Sequence, residues 1–115
     1  MLHHMKLGDR PYNQIKSGTK TIEIRLNDEK RQQIRVGDEI EFALVSDPNQ
    51  KTVTVVKDVY RFNSFIELFE AFDPHEYGSQ SKDEYTQMYQ YYSKQDEEKY
   101  GVLGIRIERG TIIVN

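Results

Sequence analysis

Residues 21–26, within a strand expected over 20–26, alternate strictly between polar and apolar positions. Ile22, Ile24 and Leu26 fall on one face of an extended chain, and Thr21, Glu23 and Arg25 on the other. The same period marks 3–7, where His3, Met5 and Leu7 oppose His4 and Lys6. It returns at 40–44 (Ile40, Phe42, Leu44) and at 102–108 (Leu103, Ile105, Ile107), with a short extension expected at 111–114. The turn chemistry of Ser46-Asp47-Pro48-Asn49-Gln50 predicts a hairpin, whose second arm runs from Thr52 to about residue 62. Its alternation slips at Val55-Val56, which predicts a bulge and a curved sheet.

Between these strands the period lengthens to that of a helix. Asp9 is the expected N-cap of a helix over 10–17, with Pro11 in its first turn, Gly18 as terminator and Tyr12 and Ile15 buried. Ser64 with Glu67, and Ser81 with Glu84, have capping-box spacing. The second box opens a helix whose Tyr85, Met88, Tyr89 and Tyr92 form a stripe expected to face the sheet. Ser93 with Asp96 predicts one further turn. Residues 27–35 and 73–80 read as surface connections. The order strand, helix, three strands, two helices, strand predicts one α+β domain over 1–115, a curved mixed β-barrel with flanking helices.

Composition narrows the chemistry. The chain of 115 residues has no cysteine, so disulfides, thiolate nucleophiles and cysteine-bound metal are excluded. No apolar run matches a membrane span or a signal segment, and the expected compartment is the cytoplasm. His3 and His4 point to opposite faces of one strand and His75 is remote, so no metal site is expected. With no glycine-rich phosphate loop, no cofactor is expected either. The net charge of −3 opposes a broad grip on nucleic acid, yet residues 1–36 carry eight Lys/Arg against four Asp/Glu. A local cationic cleft is compatible with that balance. Residues 63–99 carry nine acidic against three basic residues, a face suited to a basic protein partner or simply to solvent.

The segment Ser17-Gly18-Thr19-Lys20-Thr21-Ile22-Glu23-Ile24-Arg25 concentrates the candidate chemistry, with Lys20 at the mouth of the strand. Standing alone, an exposed Glu23–Arg25 pair is worth little. The stretch from Ile15 to Arg25, followed by Val36-Gly37-Asp38-Glu39-Ile40-Glu41-Phe42, resembles the activating-signal-cointegrator homology (ASCH) domain. His4-Met5-Lys6-Leu7 and Lys99-Tyr100-Gly101-Val102-Leu103-Gly104-Ile105 are similar to its first and last strands. The resemblance implies a fold like that of the pseudouridine-synthase and archaeosine-transglycosylase (PUA) domain, and RNA or a modified nucleoside as partner.

On that reading Lys20 and Arg25 contact phosphate or a base edge, and Glu23 accepts from an exocyclic amine or a ribose hydroxyl. Thr21 lies on their face; Lys6, Lys16 and Arg61 extend a cationic rim; Tyr91 or Tyr92 stacks a base. The resemblance also implies two enzymatic alternatives. Small amidohydrolases of this kind deacylate N4-acetylcytidine with a lysine matched by Lys20, a threonine whose place Glu23 takes here, and a distal glutamate for which Glu67 and Glu70 are candidates. Relatives that cleave single-stranded RNA use lysine, tyrosine and serine, matched by Lys20, Tyr92 and Ser93.

Overall fold

In the computed structural model, which describes residues 1–110, the alternating segments pair into one mixed sheet. Its strands are β1 (Leu2–Leu7), β2 (Ile22–Leu26), β3 (Glu39–Leu44), β4 (Asp47–Phe62) and β5 (Val102–Arg109), in the spatial order β1-β3-β4-β5-β2. β1 runs parallel to β3 and every other pair is antiparallel. The sheet is a half-barrel whose two edges are β1 and β2. The expected extension at 111–114 lies outside the described residues.

Two register shifts bend β4. The chain reverses at Val45-Ser46, earlier than the expected turn at 46–50. Leu44 then pairs with Asp47 but Ala43 with Lys51, so Pro48, Asn49 and Gln50 form a bulge, where a proline without an N–H is tolerated. The second shift falls between Val56 and Asp58, beside the predicted slip.

The curved sheet carries an apolar cluster on each face. On the inner face Met5, Leu7, Ile40, Phe42, Val56, Leu103, Ile105 and Ile107 meet Tyr12 and Ile15 of helix α1 (Asp9–Ser17). The N-cap of α1 is Gly8; Asp9 opens the first turn and accepts a hydrogen bond from Ser46 Oγ. On the outer face Ile22, Ile24, Leu26 and Val102 meet Phe65, Leu68 and Phe69 of α2 (Phe65–Ala71). Each buried Ile, Leu or Phe contributes roughly 1.5–3 kcal/mol, whereas a helix cap contributes about 1 kcal/mol, so these clusters position the helices.

The remaining connections are tighter than the sequence predicts. Pro74–Tyr77 is a 3-10 turn capped by Asp73. The segment after Ser81 is a 3-10 helix, Lys82–Gln90, with its capping box intact. Its aromatics pack against α2, as in the edge-on Phe65–Tyr89 pair and the Phe69–Tyr85 pair, because α2 already occupies that face of the sheet. Ser93 caps a full helix, α3 (Lys94–Tyr100). Within α3 the buried Glu97 accepts the Phe65 amide at 2.8 Å and the Tyr89 hydroxyl, tying α2, α3 and the 3-10 helix together.

Gly101 links α3 to β5 at φ 75°, and a Cβ there would lie 2.8 Å from the Phe62 carbonyl oxygen. Gly37 has φ 92° but open space around it. Gly101→Ala is expected to lower the unfolding free energy by about 2 kcal/mol or more, and Gly37→Ala by about 1 kcal/mol, in urea titrations. Equal losses would mean that the Phe62 backbone yields freely.

Candidate functional site

Gly18, in the left-handed conformation at φ 84°, ends α1 and lets Thr19 and Lys20 donate their amides back to the Gln14 carbonyl. The chain then enters β2 as the edge partner of β5, with Glu23 opposite Ile105 and Arg25 opposite Leu103. Residues directly opposite in an antiparallel pair share a face, so both charged side chains enter the inner face of the half-barrel.

There the charges converge. Lys20 Nζ lies 3.0 Å from Glu23 Oε1, and Arg25 Nε donates to Glu23 Oε2 at 2.9 Å, with Arg25 Nη2 also 2.9 Å away. The Glu23 side chain is only 4% exposed, against 10% for Lys20 and 14% for Arg25, so solvent meets the outer edges of the two cations. Burial works against ionisation of Glu23, but the adjacent Lys20 and Arg25 charges overcome it and hold the carboxyl at about 2. Burial likewise opposes the Arg25 charge, and Glu23 reverses the effect.

The triad also closes the seam between the two sheet edges. The Ile107 amide donates to the Thr21 carbonyl, so the antiparallel alternation turns the Ile24 N–H away from β5 toward the open edge. Glu23 Oε1 accepts it at 3.2 Å. Across the seam Arg25 Nη2 donates to the Lys6 carbonyl of β1 at 3.0 Å.

The other predicted residues divide between the two ends of β2. At the Lys20 end a cleft of about 1060 Å³ is lined by Lys16, Lys20, Thr21, Thr54 and Arg109, among others. At the Arg25 end Tyr92 stacks on Phe65 at 5.7 Å between centroids, close enough for Arg25 and Arg31 to act on its phenol. Burial raises that phenol, with Arg25 acting in the opposite direction. Arg61 is exposed and opposite Leu103, hence on the same face as Arg25 but two strands away. Lys6 brings its main-chain carbonyl to the triad, and its exposed side chain alternates away from the buried Met5 and Leu7. Tyr91 is 76% exposed and Ser93 is engaged in capping α3.

Arg109 was missing from the sequence-based set. It donates to the Lys16 carbonyl at 3.0 Å and lines the cleft. The signal was present, because Leu103, Ile105, Ile107 and residue 109 share a face by alternation. The Arg106–Glu76 ion pair at 3.1 Å and the Thr21 amide's bond to the Glu76 carbonyl fasten the 3-10 turn beside Lys20, and no local pattern foretells them. Among the described residues no cluster of His, Asp and Glu suits a metal.

A carboxyl held at about 2 when folded and near 4.5 when free stabilises the fold fully above pH 4.5. That contribution, about 3 kcal/mol at neutral pH, is lost as pH falls from 4.5 toward 2. Asp38, held at about 2 first by its hydrogen bond with His3, titrates in the same window. Glu23→Gln is therefore expected to flatten, without abolishing, the acid loss of stability in urea melts between pH 5 and 2. At pH 7 the variant is expected to lose about 3–5 kcal/mol, because two cations remain without their counter-ion. An unchanged acid slope would place Glu23 outside the linkage.

The ASCH domain profile matches residues 5–110. A crystal structure described as hypothetical protein PH0355 has a TM-score of 0.84 and 37% identity, covering 95% of this chain and 99% of its own. The solution NMR structure of PF0455 from Pyrococcus furiosus has a TM-score of 0.71 and 35% identity, covering 95% and 97%. A point mutant of ZmASCH from Zymomonas mobilis shares the fold at a TM-score of 0.60, with 12% identity over 93% of this chain and 67% of that one. No curated protein matches the chain. A half-barrel with this strand order, matched over nearly its whole length by the family profile, makes the chain a member of the ASCH domain family, within the PUA-like superfamily.

Proposed function

We propose that the protein binds RNA or a nucleotide-like ligand along the inner side of the β1–β2 seam, with Lys20 and Arg25 as its principal contacts. The observation that carries this reading is the convergence of two cations on one buried carboxylate, which leaves a net positive charge at the wall of an acidic protein. Lys16 and Arg109 add charge at the Lys20 end, and at the other the Tyr92 ring packs on Phe65 with its hydroxyl beside Arg25. Family membership supports the same class of ligand.

The hydrolytic alternatives have less support. A carboxylate held at about 2, with both oxygens engaged, is a poor general base near neutrality. Glu67 accepts the Asn63 amide and Glu70 stands exposed on α2; neither pairs with Lys20 among the described residues. For the ribonuclease reading, the Ser93 hydroxyl already accepts the Asp96 amide at 3.0 Å.

Fluorescence anisotropy with a labelled single-stranded RNA tests the binding reading. Affinity is expected to fall steeply with salt, to drop about tenfold or more in Lys20→Met, and to drop several-fold in Lys16→Glu. Circular dichroism of each variant separates lost binding from lost fold. Binding that ignores salt and survives both substitutions would overturn the proposal.

A further inference from the structure

The hydrogen-bond inventory of the triad limits the groups it is able to recognise, an argument that rests on the binding site proposed above. An ionised carboxylate offers about four lone-pair directions. Four nitrogens already crowd the two oxygens of Glu23: the Ile24 amide donates to Oε1 and Arg25 Nε to Oε2, while Lys20 Nζ stands 3.0 Å from Oε1 and Arg25 Nη2 2.9 Å from Oε2 in ion-pair contact. Arg25 Nη2 is further committed to the Lys6 carbonyl. An ammonium carries three N–H donors and a guanidinium five, so Lys20 retains free donors and Arg25 has N–H groups beyond those given to Glu23 and Lys6, with the Tyr92 hydroxyl beside them. Thr21 and Tyr92 flank them with hydroxyls. The outward capacity of the charged triad is therefore all donor.

We infer that the site reads acceptor groups, with phosphate oxygens as its ligand class, and that Glu23 is a positioning residue that aims Lys20 and Arg25 without touching ligand. An exocyclic amine brought to these cations would set N–H against N–H and leave desolvated donors unpaired. A cytosine or adenine amine thus gains nothing from the charged triad, and the expected role of Glu23 as acceptor from such an amine meets two oxygens already engaged by cations and an amide. A phosphodiester of RNA and the terminal phosphate of a free nucleotide share the required chemistry.

Isothermal titration of the full chain at low salt with uridine, cytidine, their 5′-monophosphates, and single-stranded oligouridylate and oligocytidylate tests the inference. Each phosphorylated ligand is expected to bind at least about tenfold tighter than its nucleoside, with cytidine ligands no tighter than uridine ligands. Monophosphates that match the oligomers identify the free nucleotide as the source; tightening with length identifies the RNA backbone. Cytidine ligands favoured about tenfold, or nucleosides equal to monophosphates, would overturn the inference while leaving the binding reading intact. If none of the six binds, the binding reading fails and the inference with it. In Glu23→Gln both monophosphate affinities are expected to fall together at an unchanged ratio. A ratio that moves by more than about threefold makes Glu23 a ligand contact and overturns its positioning role. Should that variant not fold, the wild-type comparison decides alone.

Discussion

The architecture turns on one carboxylate. Glu23 stands on the inner face of an edge strand, where alternation alone would place an apolar residue facing Ile105 and Leu103. Its charge is tolerated because Lys20 reaches back from before the strand and Arg25 reaches across from two residues later. The same oxygens take the amide that the edge of β2 leaves unpaired, and Arg25 takes a carbonyl from the edge of β1. Open sheet edges are a liability in any β protein. Here they are joined by side chains instead of by a sixth strand.

Such a joint has little to recommend it for stability alone. Desolvating three charges offsets much of their attraction, and a well-packed apolar set of similar volume is often as stable. What it supplies is geometry: two donors fixed at the protein wall, with flexible stems immobilised in advance of any ligand. The turn at residues 74–78 contributes to that order. Gly78 approaches the Lys20 stem so closely that a Cβ would lie 3.1 Å from its Cδ, and the Gln14 amide donates to the Gly78 carbonyl. The Lys20 chain is thus held between the end of α1 and this turn, while its ammonium remains partly open to the cleft.

The distribution of charge matches the division of the sheet into two faces. The basic first third of the chain supplies the inner seam, whereas the acidic stretch at 63–99 covers the outer face through α2, the 3-10 helix and α3. Several of its carboxylates serve structure. Glu97 binds the first amide of α2, Glu67 and Glu84 complete capping interactions, and Glu76 pairs with Arg106. The acidic count therefore overstates the charge available to a partner.

By itself the sequence determined the strands, their alternation, the caps at Ser64, Ser81 and Ser93 and the placement of Lys20, Glu23 and Arg25 on one segment, because period and capping are local properties of consecutive residues. It also carried the family, through glycines and alternations in a fixed order. The tertiary structure decided what local pattern cannot encode. Pairing of β1 with β3 and of β2 with β5 makes residues 6 and 25 neighbours across a seam, though nineteen positions separate them. Packing space explains why the tyrosine stripe meets α2 in place of the sheet, and why a capping box opens a 3-10 helix. Above all, burial converted Glu23 from an expected solvent-facing acceptor into a saturated anchor, since only the folded chain brings four nitrogens to its two oxygens.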